Sequence, residues 1–388
     1  MQNMKRFSDY NIILVNLDGL RQDKVEFCDN LNSLKEKSIY FPNMITVSPY
    51  TLTAHHSIIT GLYPSQHGVD SYHHMFRFKK NLVTIPELLK RANYFTRCDI
   101  QLDTLMTKKG FDEYDVFDEH TVDYETRHRK ILKDISRHNK FFLFLQYSKL
   151  HTYLVSEVMS KTDKKSNDDE YFQNVEANES RFMSHLKECD DIIGNIMSTL
   201  DELKLLDKTI VIVMADHGTS FGEKKGEKSY GTFVYDCTIK VFCMMYIPNE
   251  TSRIVRNQCS SIDIFPTVAE IAGLNLGNDC HDVLGKSLFN FINSSESTDR
   301  EVFVETGGLF GPWPSPKRHN VFCVRKNNKK LIYNDTPKTW EFYDLKNDPK
   351  EVNNIYDDNL QDIIEFKNRL LDYLKTLQIK TKLTPDVV

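Results

Sequence analysis

Apolar and polar residues follow two distinct patterns along this chain. Short continuous apolar runs are typical of strands buried on both faces, and they lie at residues 11–17, 141–147, 209–215 and 241–247. Apolar residues at helical spacing predict amphipathic helices at residues 30–37, 85–92, 182–205, 262–272 and 360–377. Strands alternating with helices predict an α/β fold, an α/β/α sandwich with a mostly parallel central sheet.

The pattern changes after about residue 298. Shorter apolar runs begin at Val302, Val321, Lys330 and Phe342 and precede the last predicted helix. They predict a small antiparallel sheet. We therefore expect a main domain at 1–297 and a C-terminal α+β subdomain at 298–388.

Polar residues follow two of the buried strands directly. Asp18 comes after the first run, and Asp216 and His217 come after the third. In open α/β sheets ligands bind beyond the carboxyl ends of the strands, so we expect these side chains to converge. Thr51 opens a predicted helix that ends at Gly61, and a helix N-terminus favours an anionic group.

Two carboxylates, an imidazole and a threonine hydroxyl form a ligand set for one divalent metal ion. The metal ligands are Asp18, Thr51, Asp216 and His217. This mixture of oxygen and nitrogen atoms suits zinc or manganese first, with magnesium or calcium as alternatives. Taken singly, the residues have plainer explanations: Thr51 or Ser48 as a helix cap and the Asp-His-Gly triplet as a turn.

Composition and charge limit the class of protein and the cellular compartment that we expect. The chain has 388 residues, is 40% hydrophobic and carries a net charge of −5, which argues against a nucleic-acid groove. Its eight cysteines are scattered without Cys-x-x-Cys spacing, so we expect buried free thiols. Neither an apolar N-terminal segment nor an 18-residue apolar run is present, so we expect a cytoplasmic protein without a membrane span. The alternative is a protein whose membrane anchor lies outside this sequence.

Six segments in order resemble the alkaline phosphatase superfamily, in its sulfatase and phosphodiesterase branch. They lie at residues 18–21, 30–34, 51–68, 216–218, 262–274 and 340–354. The resemblance implies an alkaline phosphatase-like fold, a metal-binding role for 18–21 and 216–218, and a nucleophile at the start of 51–68. It makes 1–297 the sulfatase-like catalytic domain.

Position 51 departs from the sulfatase pattern. Sulfatases carry there a Cys or Ser that is oxidised to formylglycine, and threonine cannot give that aldehyde. The Thr-x-x-x-His spacing of Thr51 and His55 is instead similar to nucleotide pyrophosphatase/phosphodiesterases. Phosphoethanolamine and phosphoglycerol transferases of the superfamily likewise use a threonine. The Asp that would complete a second metal site does not precede His151, so one metal is expected.

The expected activity is metal-dependent phosphoryl transfer on a small-molecule or glycan phosphoester, with hydrolase and transferase both open. Thr51 is the expected nucleophile, and His55 and His151 are further catalytic candidates. Candidate substrate contacts are His74, Tyr230, Arg318 and His319. The alternatives are a sulfatase-like sulfuric ester hydrolase and a catalytically inactive binding protein. No nucleic-acid partner and no membrane span are expected, and the oligomeric state stays open.

Overall fold

The computed structural model describes residues 7–69, 78–150, 168–277, 280–292, 300–307, 321–379 and 381–383. Nine strands in this part of the chain form one mixed, mostly parallel sheet, in the order β4-β3-β5-β1-β6-β7-β2-β8, with β9 paired to β2. They are β1 (Asn11–Leu17), β2 (Ile39–Ile45), β3 (Phe95–Ile100), β4 (Glu113–Val116), β5 (Phe141–Tyr147), β6 (Thr209–Met214), β7 (Lys240–Tyr246), β8 (Arg253–Ile254) and β9 (Cys259–Ser260).

The centre of this sheet is a parallel array that is buried throughout. β1 pairs in parallel with β5 on one side and with β6 on the other, and every residue of these three strands is buried. Burial on both faces explains their continuous apolar sequence. β7 runs antiparallel to both of its neighbours, β6 and β2.

Helices pack against the sheet. In chain order they are α1 (Asp29–Lys35), α2 (Thr51–Thr60), α3 (Pro64–His67), α4 (Ile85–Lys90), α5 (Tyr124–Ile135), α6 (Asp168–Gln173), α7 (Val175–Glu202), α8 (Asp236–Ile239), α9 (Ile264–Ile271), α10 (Phe289–Ile292) and α11 (Gln361–Thr376). Short 3₁₀ turns occupy Gln22–Phe27, Leu206–Lys208 and Ser261–Asp263. None of the helices in the described ranges combines the length and the apolar character that a bilayer crossing requires.

A second sheet is antiparallel and C-terminal, as the sequence predicts. Its order is β10-β11-β12-β13, formed by β10 (Val302–Thr306), β11 (Val321–Lys326), β12 (Lys329–Asn334) and β13 (Thr339–Asp344). Its apolar residues share one buried cluster with Ile45 and Val47 of the main sheet region and with Phe233 and Val234. The predicted domain boundary at 297/298 falls outside the described residues and stays a prediction.

The fold class is therefore confirmed: an α/β sandwich with a small antiparallel C-terminal sheet. The eight cysteines all lie in the described ranges, and none of them is disulfide bonded. Six are buried, while Cys237 and Cys280 are partly exposed.

Candidate metal centre and active site

The predicted metal ligands meet at the carboxyl ends of two neighbouring strands. Asp18 directly follows β1, and Asp216 and His217 follow β6, which pairs with β1 in parallel. One ligand atom from each of the three residues lies within 4.8 Å of the others, and all three residues are buried. The topology brings together side chains that are about 200 residues apart in sequence, as the rule for strand ends predicts.

Thr51 adds its hydroxyl to this cluster. It is the first residue of α2, and no side chain caps that helix, whose N-cap is Tyr50. The Thr51 hydroxyl lies 3.3 Å from both carboxylate oxygens of Asp18 and 3.2 Å from Nε2 of His217. Thr51 therefore does not act as a helix cap, and its hydroxyl faces the candidate metal ligands.

The far end of α2 explains why the helix stops after ten residues. Gly61 has a left-handed φ of +69°, a conformation that glycine adopts without a steric penalty. A Cβ there would lie 2.9 Å from Cγ1 of Val283 and 3.0 Å from Cβ of Phe265. Glycine thus ends the helix and permits its close contact with α9, which helps to fix Thr51.

His217 is oriented for coordination through Nε2. Its Nδ1 lies 2.8 Å from the carbonyl oxygen of Gly218, to which it donates in the tautomer that leaves the Nε2 lone pair free for a metal. Its ring stacks on Tyr230 at 4.6 Å and 22°. Burial alone lowers the pKa of His217, but Asp216 and the hydrogen bond to Asp18 outweigh burial and raise the pKa to about 9.

Asp216 provides a direct test of whether a cation fits. Its Oδ1 accepts hydrogen bonds from the amides of His217 at 3.0 Å and Gly19 at 3.4 Å. Oδ2 is buried and accepts no hydrogen bond from the described residues. Burial and the nearby Asp18 raise the pKa of Asp216. A cation at this point would satisfy the orphaned oxygen and offset both negative charges, so the residues fit a divalent ion.

Two amide side chains support the ligands from inside the sheet. Gln146 of β5 donates from Nε2 to Oδ2 of Asp18 at 2.8 Å. Its own Oε1 accepts a hydrogen bond from the backbone N–H of Gln101 at 3.1 Å. Asn16 of β1 lies with Nδ2 3.0 Å from Nε2 of His55. Neither residue is predicted from sequence as part of the site. The available signal was a polar residue inside an otherwise apolar strand, which is costly to bury without a partner.

The remaining candidates occupy different positions. His55 is fully buried, with Nε2 3.4 Å from Oδ2 of Asp216 and its ring edge-on to Phe144. It therefore lies beside Asp216, a metal-ligand candidate, and its catalytic role stays a prediction. Tyr230 lies in the site through its contact with His217. The candidates His74, His151, Arg318 and His319 lie outside the described residues.

Sequence comparison identifies the family. The sequence model of the sulfatase family matches residues 11–274, and that of the C-terminal region of N-sulphoglucosamine sulphohydrolase matches residues 227–380. Human arylsulfatase K is 32% identical over 177 residues, which cover 43% of this chain and 31% of that protein. The chain thus matches the curated relatives over only about a third of their length.

Structural comparison agrees at the level of the fold. A solved 2-O GAG sulfatase has a TM-score of 0.77 and 16% identity, with 96% of this chain and 93% of that chain covered. Phosphonate monoester hydrolase from Silicibacter pomeroyi has a TM-score of 0.74 and 16% identity, with 97% of each chain covered. With the first family model spanning more than half of its residues, this chain belongs to the sulfatase family.

Proposed function

We propose that this protein is a divalent-metal-dependent ester hydrolase in which Thr51 is the nucleophile. One observation carries the proposal: the Thr51 hydroxyl lies at the start of α2 within 3.3 Å of Asp18 and His217. A threonine that only began the helix would have no reason to face two buried ligand candidates. The free amides of the first turn of α2 would hold the anionic end of a substrate at the same place.

Asp18, Asp216 and His217, with the Thr51 oxygen, are the residues that would hold the ion, and we propose one ion per chain. When bound, a divalent ion lowers the pKa of a coordinated hydroxyl and polarises an ester oxygen. Asp18 is placed to accept the Thr51 proton, because Thr51 donates to its carboxylate. The Thr51 oxygen would then attack in line, and the leaving oxygen would take the proton from Asp18 and depart as the substrate alcohol. Water would cleave the resulting threonine ester, restoring the Thr51 hydroxyl and releasing the acid.

The residue at position 51 favours a phosphoryl or phosphonyl ester as the substrate. Threonine can form a phosphate ester and release it by hydrolysis, whereas it cannot form the aldehyde that sulfatases of the usual type require. A transferase would share the same first step, with an acceptor alcohol in place of water.

A sulfuric ester hydrolase is the second candidate, and the comparisons favour it over the first. The arylsulfatase K match and the 2-O GAG sulfatase fold both come from sulfatases. In that case Thr51 would be only a ligand, and a water molecule would attack the sulfur. A glycan-linked ester is the substrate class that the name of the GAG sulfatase suggests for either candidate.

The two candidates are separated by turnover of matched 4-nitrophenyl esters by the metal-loaded protein. We expect the phosphodiester and the phenylphosphonate to be cleaved at least tenfold faster than the sulfate. Thr51→Ala serves as the control that assigns any turnover to this site. Faster cleavage of the sulfate would establish the second candidate, and equal turnover by Thr51→Ala would remove Thr51 as the nucleophile.

A further inference from the structure

A cleft of about 1010 Å³ opens between the main sheet region and the C-terminal sheet. Its lining includes Arg21, Phe221 and Lys240 from the main sheet region and Tyr343 and Lys350 from the C-terminal region. Among the described residues that line this cleft, none is a metal-ligand candidate. It is therefore a recess separate from the site at the end of β1 and β6, and large enough for a ligand of several linked groups.

The lining of this cleft is more positive than the protein as a whole. Eight basic side chains and five carboxylates line it, an excess of three positive charges in a chain whose net charge is −5. Each carboxylate already forms an ion pair with a basic side chain. These carboxylates are Asp23, Glu179, Glu223, Asp236 and Glu351.

Four of the basic side chains remain available. Lys225, Lys240, Arg256 and Lys350 have neither an ion pair nor a side-chain hydrogen bond with any part of the chain that the structure describes. Lys240 is half-buried, and the other three are exposed. A cleft whose walls have a low dielectric constant concentrates the electric field of the charges that line it. These four cations would therefore attract a ligand with several anionic groups.

The aromatic side chains of the cleft argue against a nucleic acid. Arg21 covers the ring of Phe221 at 4.4 Å, and Lys224 lies 5.5 Å from the ring centre of Tyr343. Both rings are at least 96% buried. Single-stranded nucleic acids bind through bases stacked on open aromatic faces, and these faces are covered. The cleft therefore presents positive side chains but no accessible aromatic faces on which bases could stack. Such a lining suits tetrahedral oxyanions such as sulfate or phosphate.

We propose that this cleft binds a stretch of an anionic glycan whose sugars carry sulfate or phosphate groups. The choice of a glycan rests on the proposed function, because such a polymer would carry the ester to be cleaved. The cleft also adjoins the site through Arg21, which donates to the carbonyl of Thr219 at 3.1 Å, while the Thr219 hydroxyl donates to the carbonyl of Gly19 at 2.8 Å. A polymer held in the cleft would thus be retained beside the residues that follow Asp18.

Direct binding tests this without relying on catalysis. A fluorescent heparin-type hexasaccharide is titrated with the protein, and its anisotropy is followed at increasing salt. We expect Lys240→Ala/Arg256→Ala to bind about tenfold more weakly than the wild type. The control Lys133→Ala/Lys208→Ala removes two exposed lysines that do not line the cleft and should bind as the wild type does. A phosphorylated oligosaccharide in a parallel titration distinguishes phosphate from sulfate groups.

Three outcomes would overturn the proposal. They are no binding by the wild type, equal weakening in the cleft and control variants, and tighter binding of a single-stranded oligonucleotide of equal charge. Turnover of the small 4-nitrophenyl esters should be unchanged in Lys240→Ala/Arg256→Ala. Cleft-dependent glycan binding by a protein that cleaves no ester would refute the proposed function and leave the cleft assignment standing.

Discussion

Thr51 combines the position of a helix start with the surroundings of a reactive group. Its hydroxyl makes no capping bond to α2 and faces Asp18 and His217 instead. Removing it should therefore cost less stability than the loss of a true cap, which is about 1 kcal/mol. We predict that Thr51→Ala abolishes ester turnover with little change in melting temperature. Thr51→Ser should retain part of the activity, because the hydroxyl remains but rotates more freely.

Thr53 offers a matched control on the same helix. Its hydroxyl is buried and has no hydrogen-bond partner in the described structure. Thr53→Ala makes the same chemical change two residues away and should preserve turnover. If Thr51→Ala and Thr53→Ala were equally active, the nucleophile assignment would be wrong and attack by water would replace it.

His128 should make the stability of this protein sensitive to mild acid. It lies on α5, is 2% exposed, and neither ring nitrogen has a hydrogen-bond partner in the described part of the chain. Burial, with a smaller effect of Arg127, lowers its pKa from 6.5 to about 3. Between these two values the unfolded chain binds a proton that the folded chain does not, so stability falls as the pH drops below 6.5.

We predict that His128→Phe removes this loss. Between pH 7 and pH 5 the free energy of unfolding of the wild type should fall by about 2 kcal/mol more than that of the variant, since each pH unit below 6.5 is worth about 1.4 kcal/mol. Chemical denaturation at the two pH values measures the difference. Titrating groups distant from His128 contribute equally to both proteins, whereas Oδ2 of Asp99 lies 3.9 Å from Nε2 of His128. Parallel pH dependence of the two proteins would show that His128 is protonated in the folded state.

At the scale of secondary structure, β1 and β5 contribute to the core and also carry side chains that support the candidate metal site. Gln146 donates to Asp18 from within β5 and thereby fixes the orientation of that carboxylate. Hydrogen-bond partners of metal ligands typically contribute a factor of about 10–100 to metal affinity. We predict that Gln146→Ala weakens zinc or manganese binding to this extent, while titration calorimetry still gives one ion per chain.

Asn11 is the control for this prediction. It is a buried amide at the opposite end of β1 and donates to the Thr209 hydroxyl at 3.3 Å. Asn11→Ala and Gln146→Ala should both lower stability, but only Gln146→Ala should lower metal affinity. Equal metal affinities in the two variants would reduce Gln146 to a packing residue, and two bound ions would contradict the single-site expectation.

In the main sheet, the strands whose bounds could be predicted best from sequence are those whose burial is complete. β1 and β5 have the predicted bounds, because a mainly apolar run of this length is typical of a strand that is buried on both faces. β2 was missed because Pro42 interrupts its sequence, and the structure has a register shift between Phe41 and Met44, where a proline is tolerated. β3 was missed because Arg97 and Asp99 break its pattern, although both form ion pairs.

The residues of the candidate site also fall into those that sequence could predict and those that it could not. The rule for strand ends, with the family resemblance, brought Asp18, Asp216, His217 and the start of α2 together, because topology alone places them at one edge. Asn16 and Gln146 could not be assigned, since nothing in their spacing reveals which strand lies beside which. The role of Gln146 depends on the pairing of β5 with β1, a contact between segments more than 120 residues apart, and that of Asn16 depends on its contact with His55 of α2.

At the scale of the whole molecule, buried charges join the two sheets. Lys330 of β12 is completely buried, 2.5 Å from Oδ1 of Asp236 and 2.7 Å from Oε1 of Glu351. Arg325 of β11 reaches Oδ2 of Asp236 at 3.1 Å. Asp236 begins α8, which leads into β7 of the main sheet. The C-terminal sheet is therefore fastened to the main sheet region through ion pairs as well as through their common apolar cluster.

We predict that Lys330→Met destabilises the protein by about 3–5 kcal/mol, because removing one partner leaves Asp236 and Glu351 buried without their shared cation. Its neighbour Lys329 provides the control: it pairs with Asp362 at the surface, so Lys329→Met should cost roughly 0–1 kcal/mol. Guanidinium denaturation of the two variants measures both values. Burial already raises the pKa of Glu351, and without Lys330 that pKa should rise further, so the ionised carboxylate becomes more costly to keep buried. Lys330→Met/Glu351→Gln should therefore recover part of the lost stability, because it removes one unpaired charge. Equal stability of Lys330→Met and Lys329→Met would mean that the apolar cluster alone holds the two sheets together.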